Sequence, residues 1–176
     1  IEAQFERFGA TCFAMDHING HRHFHLHPVV LDAIAALAPG FDNPPLRLPY
    51  EPYAASFRAN RDRALGRLAG SLFYAVQSRR IRGRLSGGGM KTNDCVFGLH
   101  DSGAMSEARV LRLLDHLPHG VTEIYCHPAT RRWNGSDAPP ASYQPEAEFR
   151  ALLSGSVKAK LNAMGLRPLT YRAALA

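Results

Sequence analysis

GHRHFHLHP, residues 20–28, sets histidines at 21, 23, 25 and 27. In an extended strand, side chains two residues apart share a face. Read that way, His21, His23, His25 and His27 line one side, with Arg22, Phe24 and Leu26 on the other. The alternation predicts a strand over residues 11–26, TCFAMDHINGHRHFHL, interrupted near Asn19-Gly20. This reading decides the fold, because Pro28 then opens a helix whose apolar residues Val29, Val30, Ile34 and Leu37 recur at helical spacing before Pro39-Gly40 closes it.

The same alternation of strand and helix runs outward from there. Residues 1–9, IEAQFERFG, read as the last turns of a helix closed by Gly9. PLRLPYEP (45–52) reads as a short strand between prolines. Residues 53–80 carry a helical pattern, SGGG (86–89) a turn, and CVFGLHDSG (95–103) a strand entering a loop. Ser106 is placed to cap the helix SEARVLRLLDHL. GVTEIYCHP (120–128) is a further strand. The polar, proline-rich RRWNGSDAPPASYQP (131–145) is long enough to be a site wall. EAEFRALLSGSVKAKLNAMG (146–165) reads as a helix in two pieces, and LRPLTY (166–171) as a terminal strand. Three strands end in histidine: HFHLHP, FGLHDSG and IYCHPAT. The expected fold is therefore α/β with a parallel sheet and functional groups at the carboxyl ends of strands. No internal repeat and no second domain is visible, so residues 1–176 are expected to form one domain.

Composition narrows the partners. The chain has 176 residues, 45% hydrophobic and 20% charged, as globular domains do. No run reaches the ~20 apolar residues of a membrane span, and the first residues lack the pattern of a secretory signal. Cys12, Cys95 and Cys126 are too few and too scattered for a disulfide framework or a structural zinc site, which favours a reducing, cytoplasmic setting. The net charge of +6 is concentrated in arginines between residues 58 and 84. An anionic surface would be attracted to them, although a solvated helix face is the plainer reading. No nucleic-acid-binding module surrounds them.

The candidate chemistry is imidazole chemistry. Four alternating histidines, with Asp16 and His17 just upstream, suggest a metal site, since imidazole is the commonest protein metal ligand. One strand rarely surrounds an ion, so one or two of these rings would bind it and the others would orient the site or touch substrate. His127 follows an apolar strand and precedes a strand-stopping proline, where a barrel strand would deliver a catalytic group. Cys126 reads as a small buried residue rather than a nucleophile. Asp101 and Ser102 could join a triad, but the segment lacks the GxSxG form and reads more simply as a loop start. Glu51 and Glu123 are carboxylates that nothing singles out.

DHINGHRHFHLHP, followed by LRLPYEP, FGLHDSGAM, GVTEIYCHPA and GLRPLTY, resembles the YdjC-like carbohydrate deacetylases, and within them the hopanoid-biosynthesis branch. The resemblance covers nearly the whole chain. It implies a (β/α) barrel-like fold related to the polysaccharide deacetylases and hydrolysis of an N-acetyl group from an amino-sugar conjugate, such as an N-acetylglucosaminyl hopanoid. It implies a divalent metal ion, Mg or Zn, with His21 as a ligand. It further implies His127 as a general acid or substrate contact, and the acid that protonates the departing amine is the role expected of it; His23, His25 and Asp101 are expected as substrate or supporting contacts. The family's opening Asp-Asp motif and first metal histidine do not occur within these residues. The expectation is thus the C-terminal two-thirds of a larger barrel, lacking its N-terminal strands. An amino-sugar or glycolipid substrate also implies peripheral contact with a membrane surface, through Arg61, Arg63 and Arg67 and the loop 131–144. The alternatives are another metal-dependent hydrolase, or a non-catalytic module that binds metal or sugar.

Overall fold

The computed structural model describes residues 1–176. Its elements in chain order are α1 (Glu2–Gly9), α2 (Pro28–Leu37), α3 (Tyr53–Asn60), α4 (Ala64–Leu85), β1 (Cys95–Phe97), α5 (Glu107–Leu114), β2 (Thr122–Ile124), α6 (Pro145–Leu153), α7 (Gly155–Ala163) and α8 (Tyr171–Ala174). The expected alternation is present, but helix dominates. The only sheet is the parallel pair β1–β2, with Val96 opposite Glu123. Single parallel bridges join Ile18 to Leu46 and Leu46 to Thr92. Four extended segments thus lie side by side in chain order, and a closed barrel is not formed from them. Asn93 extends the pairing with its side chain: Nδ2 donates to the Leu48 carbonyl and Oδ1 accepts from the Leu48 N–H.

Two predicted strands are absent. The histidine row forms a 3-10 turn, His21–Leu26, in which Arg22 and His23 take left-handed backbone angles, φ 48° and 60°. Consecutive left-handed residues reverse the chain locally, so side chains two apart no longer share a face. Residues 166–170, LRPLT, carry no strand and lead into the short α8. The expected helix 53–80 is interrupted: Arg61 and Arg63, also left-handed, separate α3 from α4.

Two apolar clusters hold the segments. One gathers Phe5, Leu31 and Ile34 of α1 and α2 against Leu46, Leu48, Ile81 and Leu85. The other packs Cys95 and Phe97 of β1 against Val110, Leu113 and Leu114 of α5, with Ala151 and Val157 beyond. Leu46, Leu48 and Val96 are wholly buried, each burial worth roughly 1.5–3 kcal/mol. Central segments buried on both sides need apolar side chains throughout, and CVF supplies them.

Arg67, predicted as part of a basic surface, is 1% exposed. Its guanidinium donates to both oxygens of Asp101, at 2.8 and 3.0 Å, to Asp62 and to the Ser56 hydroxyl. Glu51, equally buried, lies 3.6 Å away and accepts from the Leu99 and His100 N–H groups. This buried ionic network ties α4 to the loop after β1. Arg67 is inside because the inward face of α4 offers it to that network together with Ser71, whose hydroxyl donates to the Glu51 carbonyl at 2.6 Å.

Candidate active site

The row of alternating functional side chains lies on β2 and its extension. Tyr125 N–H still bonds the Phe97 carbonyl, at 2.9 Å, so the chain stays extended beyond the last paired residue. Glu123, Tyr125 and His127 consequently share a side. The phenol oxygen of Tyr125 is 3.0 Å from His127 Nε2. The His127 ring packs between Tyr125 and Tyr143, with centroids at 4.8 and 5.0 Å. Ser102 Oγ stands 2.7 Å from the Tyr143 hydroxyl and 3.5 Å from that of Tyr125.

The backbone beneath this cluster is fixed. Glu148, wholly buried on α6, accepts from the N–H groups of His127 and Met105. Gly103 (φ 74°) lies face to face with Tyr143, and a Cβ there would fall within the ring. Only glycine combines that backbone angle with so close an approach. Burial lowers the pKa of His127 below the usual imidazole value, and Arg47 adds to this against an opposing pull from Glu148. Burial raises that of Tyr125. At neutral pH the pair is a neutral imidazole beside a protonated phenol. His127 Nδ1 is buried without a hydrogen-bond partner, so Nε2 is the nitrogen through which a proton can pass.

Glu123 anchors the other end of the row. Arg47 grips its carboxylate with Nε, at 2.7 Å, and with Nη2, and its guanidinium lies 5.3 Å from the Tyr125 ring centre. Tyr171 of α8 donates its hydroxyl to Glu123, and burial together with Glu123 pushes the phenol pKa well up. The N–H groups of Tyr171 and Arg172 rest on the Asp16 carboxylate, and His17 stacks on the Tyr171 ring at 4.4 Å. Tyr171 therefore links β2 to the first extended segment. Behind Glu123 and Tyr171 lies a mainly apolar cavity of ≈ 540 Å³ between β2, α5, α7 and residues 166–171.

The predicted residues are distributed unevenly around this site. His25 is buried and its Nε2 donates to the Arg47 carbonyl at 2.8 Å. His23, half-buried, has its pKa pushed down to about 4 by burial, then by His25 and Arg47. These two rings meet edge to face at 6.0 Å, so both flank Arg47. His21 and His27 are exposed. Asp101 is 3% exposed, and its oxygens accept from Arg63, Arg67, Arg109 and Asn60, which fastens the loop and leaves no oxygen free for substrate. Ser102 meets tyrosines rather than a histidine. Cys126 is kept a thiol, its pKa pushed up to about 11 by burial, in keeping with a packing role.

The residues do not assemble the expected ion site. No three His, Cys, Asp or Glu side chains converge closely enough to hold a metal. His23 and His25 each carry a buried Nδ1 without a partner, but no carboxylate joins them.

The model of the YdjC-like protein family matches residues 1–163. The chain belongs to the YdjC-like family. Among solved structures, a protein of Enterococcus faecalis V583, described provisionally as a cellobiose-phosphate cleavage protein, superimposes on the YdjC-like chain with a TM-score of 0.61 at 22% identity. The match covers 99% of this chain and 59% of that one, so the YdjC-like chain spans about three-fifths of its structural neighbour's length. No curated protein matches it. Tyr125, Tyr143 and Arg47 were not singled out by sequence reasoning. The signal for Tyr125 was present, since it stands two residues before His127 on a strand; Tyr143 and Arg47 come from distant segments and carry no local mark.

Proposed function

We propose that this YdjC-like chain hydrolyses the N-acetyl group of an amino-sugar conjugate, with His127 and Tyr125 moving the protons. The observation that carries the reading is the neutral His127 ring, its Nε2 against the Tyr125 hydroxyl, held beside Tyr143. As water adds to the acetyl carbonyl carbon, the imidazole takes the proton. The imidazolium then returns it to the amide nitrogen as the C–N bond breaks, leaving acetate and a free amine. A histidine whose pKa is lowered serves poorly as an acid from the start, but well as an acid that has just accepted its proton. Tyr125 and Tyr143 also offer flat apolar faces against which a sugar ring can pack.

The apolar cavity behind Glu123 supports a substrate whose sugar is joined to an apolar body, as an N-acetylglucosaminyl hopanoid is. A divalent ion, Mg or Zn, with His21 among its ligands remains part of the proposal only with donors additional to those gathered here.

The test is acetate release by the full-length protein from N-acetylglucosaminyl lipids and from free N-acetylated disaccharides. Release that drops ~10²–10⁴-fold in His127→Ala is expected. Sugar binding without acetate release would make the chain a binding module, and turnover of esters or phosphates alone would make it a different hydrolase. Loss of turnover on chelation, restored by Mg or Zn, would assign the ion a part.

A further inference from the structure

The first four turns of α4 are built inside out. Arg67, Ser71 and Ser78 point inward, whereas Leu65 is 84% exposed, Leu72 and Phe73 59%, Val76 52% and Leu68 39%. Leu65, Leu68, Leu72 and Val76 follow one another at three- and four-residue steps, so they form a single outward stripe with Phe73 at its margin. The buried ionic network accounts for Arg67 and Ser71 on the inward face. Nothing in the chain covers the outward apolar one, and a contiguous apolar surface of this kind marks an interaction site.

Charge decides the partner. From Arg63 to Asn93 the sequence contains no Asp or Glu, against six arginines and one lysine. Exposed Arg79 and Arg80 continue the apolar stripe at one end, and exposed Arg61 stands at the other. We propose that this face of α4 docks on an anionic lipid surface. Leucine, phenylalanine and valine enter the headgroup boundary while the flanking arginines meet lipid phosphates. A second copy of the chain fits less well, because a two-fold pairing of α4 would set arginines over a face with no carboxylate to receive them. Nucleic acid would satisfy the arginines and leave the leucines in water. The proposal is independent of the reaction assigned above.

The test uses co-sedimentation of the full-length protein with vesicles of phosphatidylcholine alone and of phosphatidylcholine mixed with phosphatidylglycerol. Binding to the mixed vesicles only, weakened by salt, is expected. Arg79→Gln and Arg80→Gln should each weaken it about fivefold, and Leu72→Ser with Val76→Ser should abolish it. These side chains are exposed, so the variants should keep the wild-type thermal midpoint and circular dichroism, which separates lost docking from lost folding. Absence of vesicle binding, or binding unchanged in both sets of variants, overturns the proposal. So does concentration-dependent dimerisation that Leu72→Ser with Val76→Ser removes, which would give the face to a second copy.

Discussion

Arg47 and Glu123 form a two-pronged ion pair between segments 76 residues apart in the chain. Their side chains are 11% and 16% exposed, and Arg47 reaches past β1 to make the contact. The pair aligns the row Glu123, Tyr125, His127 with the second extended segment, while Tyr171 closes on it from α8. Removing one partner leaves the other charge desolvated, which costs more than the pair contributes in place. Glu123→Gln is expected to lower stability by on the order of 3 kcal/mol in urea unfolding. Arg47→Met combined with Glu123→Leu should lose less than the sum of the single changes. Additive losses in that cycle would show that the two side chains act independently.

Arg67 supports a harsher prediction. It is buried among Asp101, Asp62, Glu51 and Ser56, and its removal strands buried carboxylates. Arg67→Met should cost roughly 3–5 kcal/mol and loosen the loop after β1, whereas Arg61→Met, at an exposed left-handed position, should cost under about 1 kcal/mol. Thermal midpoints of the two variants measure the difference, and similar midpoints would show that the network is not structural.

What could be read in the sequence follows from what is local. Helices α2, α5, α6 and α7 declared themselves through apolar spacing, and α2 and α5 also through Pro28 and Ser106 at their starts, because those signals act within a turn or two; Pro145, read as the end of a loop, in fact opens α6. β1 and β2 appeared as short apolar runs. The histidine row misled because alternation specifies a face only if the backbone is extended, and the left-handed pair Arg22–His23 depends on tertiary packing around buried His25. The period-two argument applies instead to Glu123, Tyr125 and His127, where β1 keeps the neighbouring chain straight. His127 was legible from its place after a strand. The cradle around it, with Tyr143 and Ser102 brought in over Gly103, was not, because it is assembled by contacts across about forty residues. Arg67 was misplaced for the opposite reason: arginine usually lies outside, and only the carboxylates opposite it reverse that rule.

Acid should destabilise the fold before its carboxylates protonate. His25 and His127 are both held below the ordinary imidazole pKa, chiefly by burial. The folded state therefore binds fewer protons than the unfolded state below about pH 6.5. Stability is fully present above that value and declines as pH falls through the folded-state values. Asp16 and Asp62, whose pKa values are lowered, add losses only in the more acidic range, below the ordinary aspartate value. The thermal midpoint is expected to be flat from pH 8 to 7 and to fall as the pH drops below about 6.5. His25→Gln, with no group to titrate, should make that decline shallower. A midpoint that rises toward pH 5 would contradict this account.

Gly103 tests the cradle directly. A methyl group at this position would occupy the space of the Tyr143 ring, and φ 74° is itself costly for alanine; the backbone alone contributes about 1–2 kcal/mol. Gly103→Ala should therefore displace Tyr143 from His127 and Ser102 and lower the thermal midpoint. Tyr143→Ala removes the obstacle, so the double variant Gly103→Ala/Tyr143→Ala should be destabilised by less than the two single changes added together. Full additivity would mean that the close approach of glycine to ring does not constrain the site.

The proton route predicts how Tyr125→Phe and His127→Gln differ. Phenylalanine keeps the packing against His127 and Arg47 but deletes the hydroxyl beside Nε2. Acetate release should then fall in kcat by roughly ten- to a hundredfold with KM little changed, since the ring face that meets the sugar is retained. Removing the imidazole should lower kcat further, toward the ~10²–10⁴-fold range of a lost general acid–base group. In the wild type kcat/KM should rise with pH through the lowered His127 pKa, because the neutral ring is the form that accepts the proton. His127→Gln should lose that acid limb while Tyr125→Phe retains it, displaced. An acid limb that persists unchanged in His127→Gln would assign the titrating group to another residue.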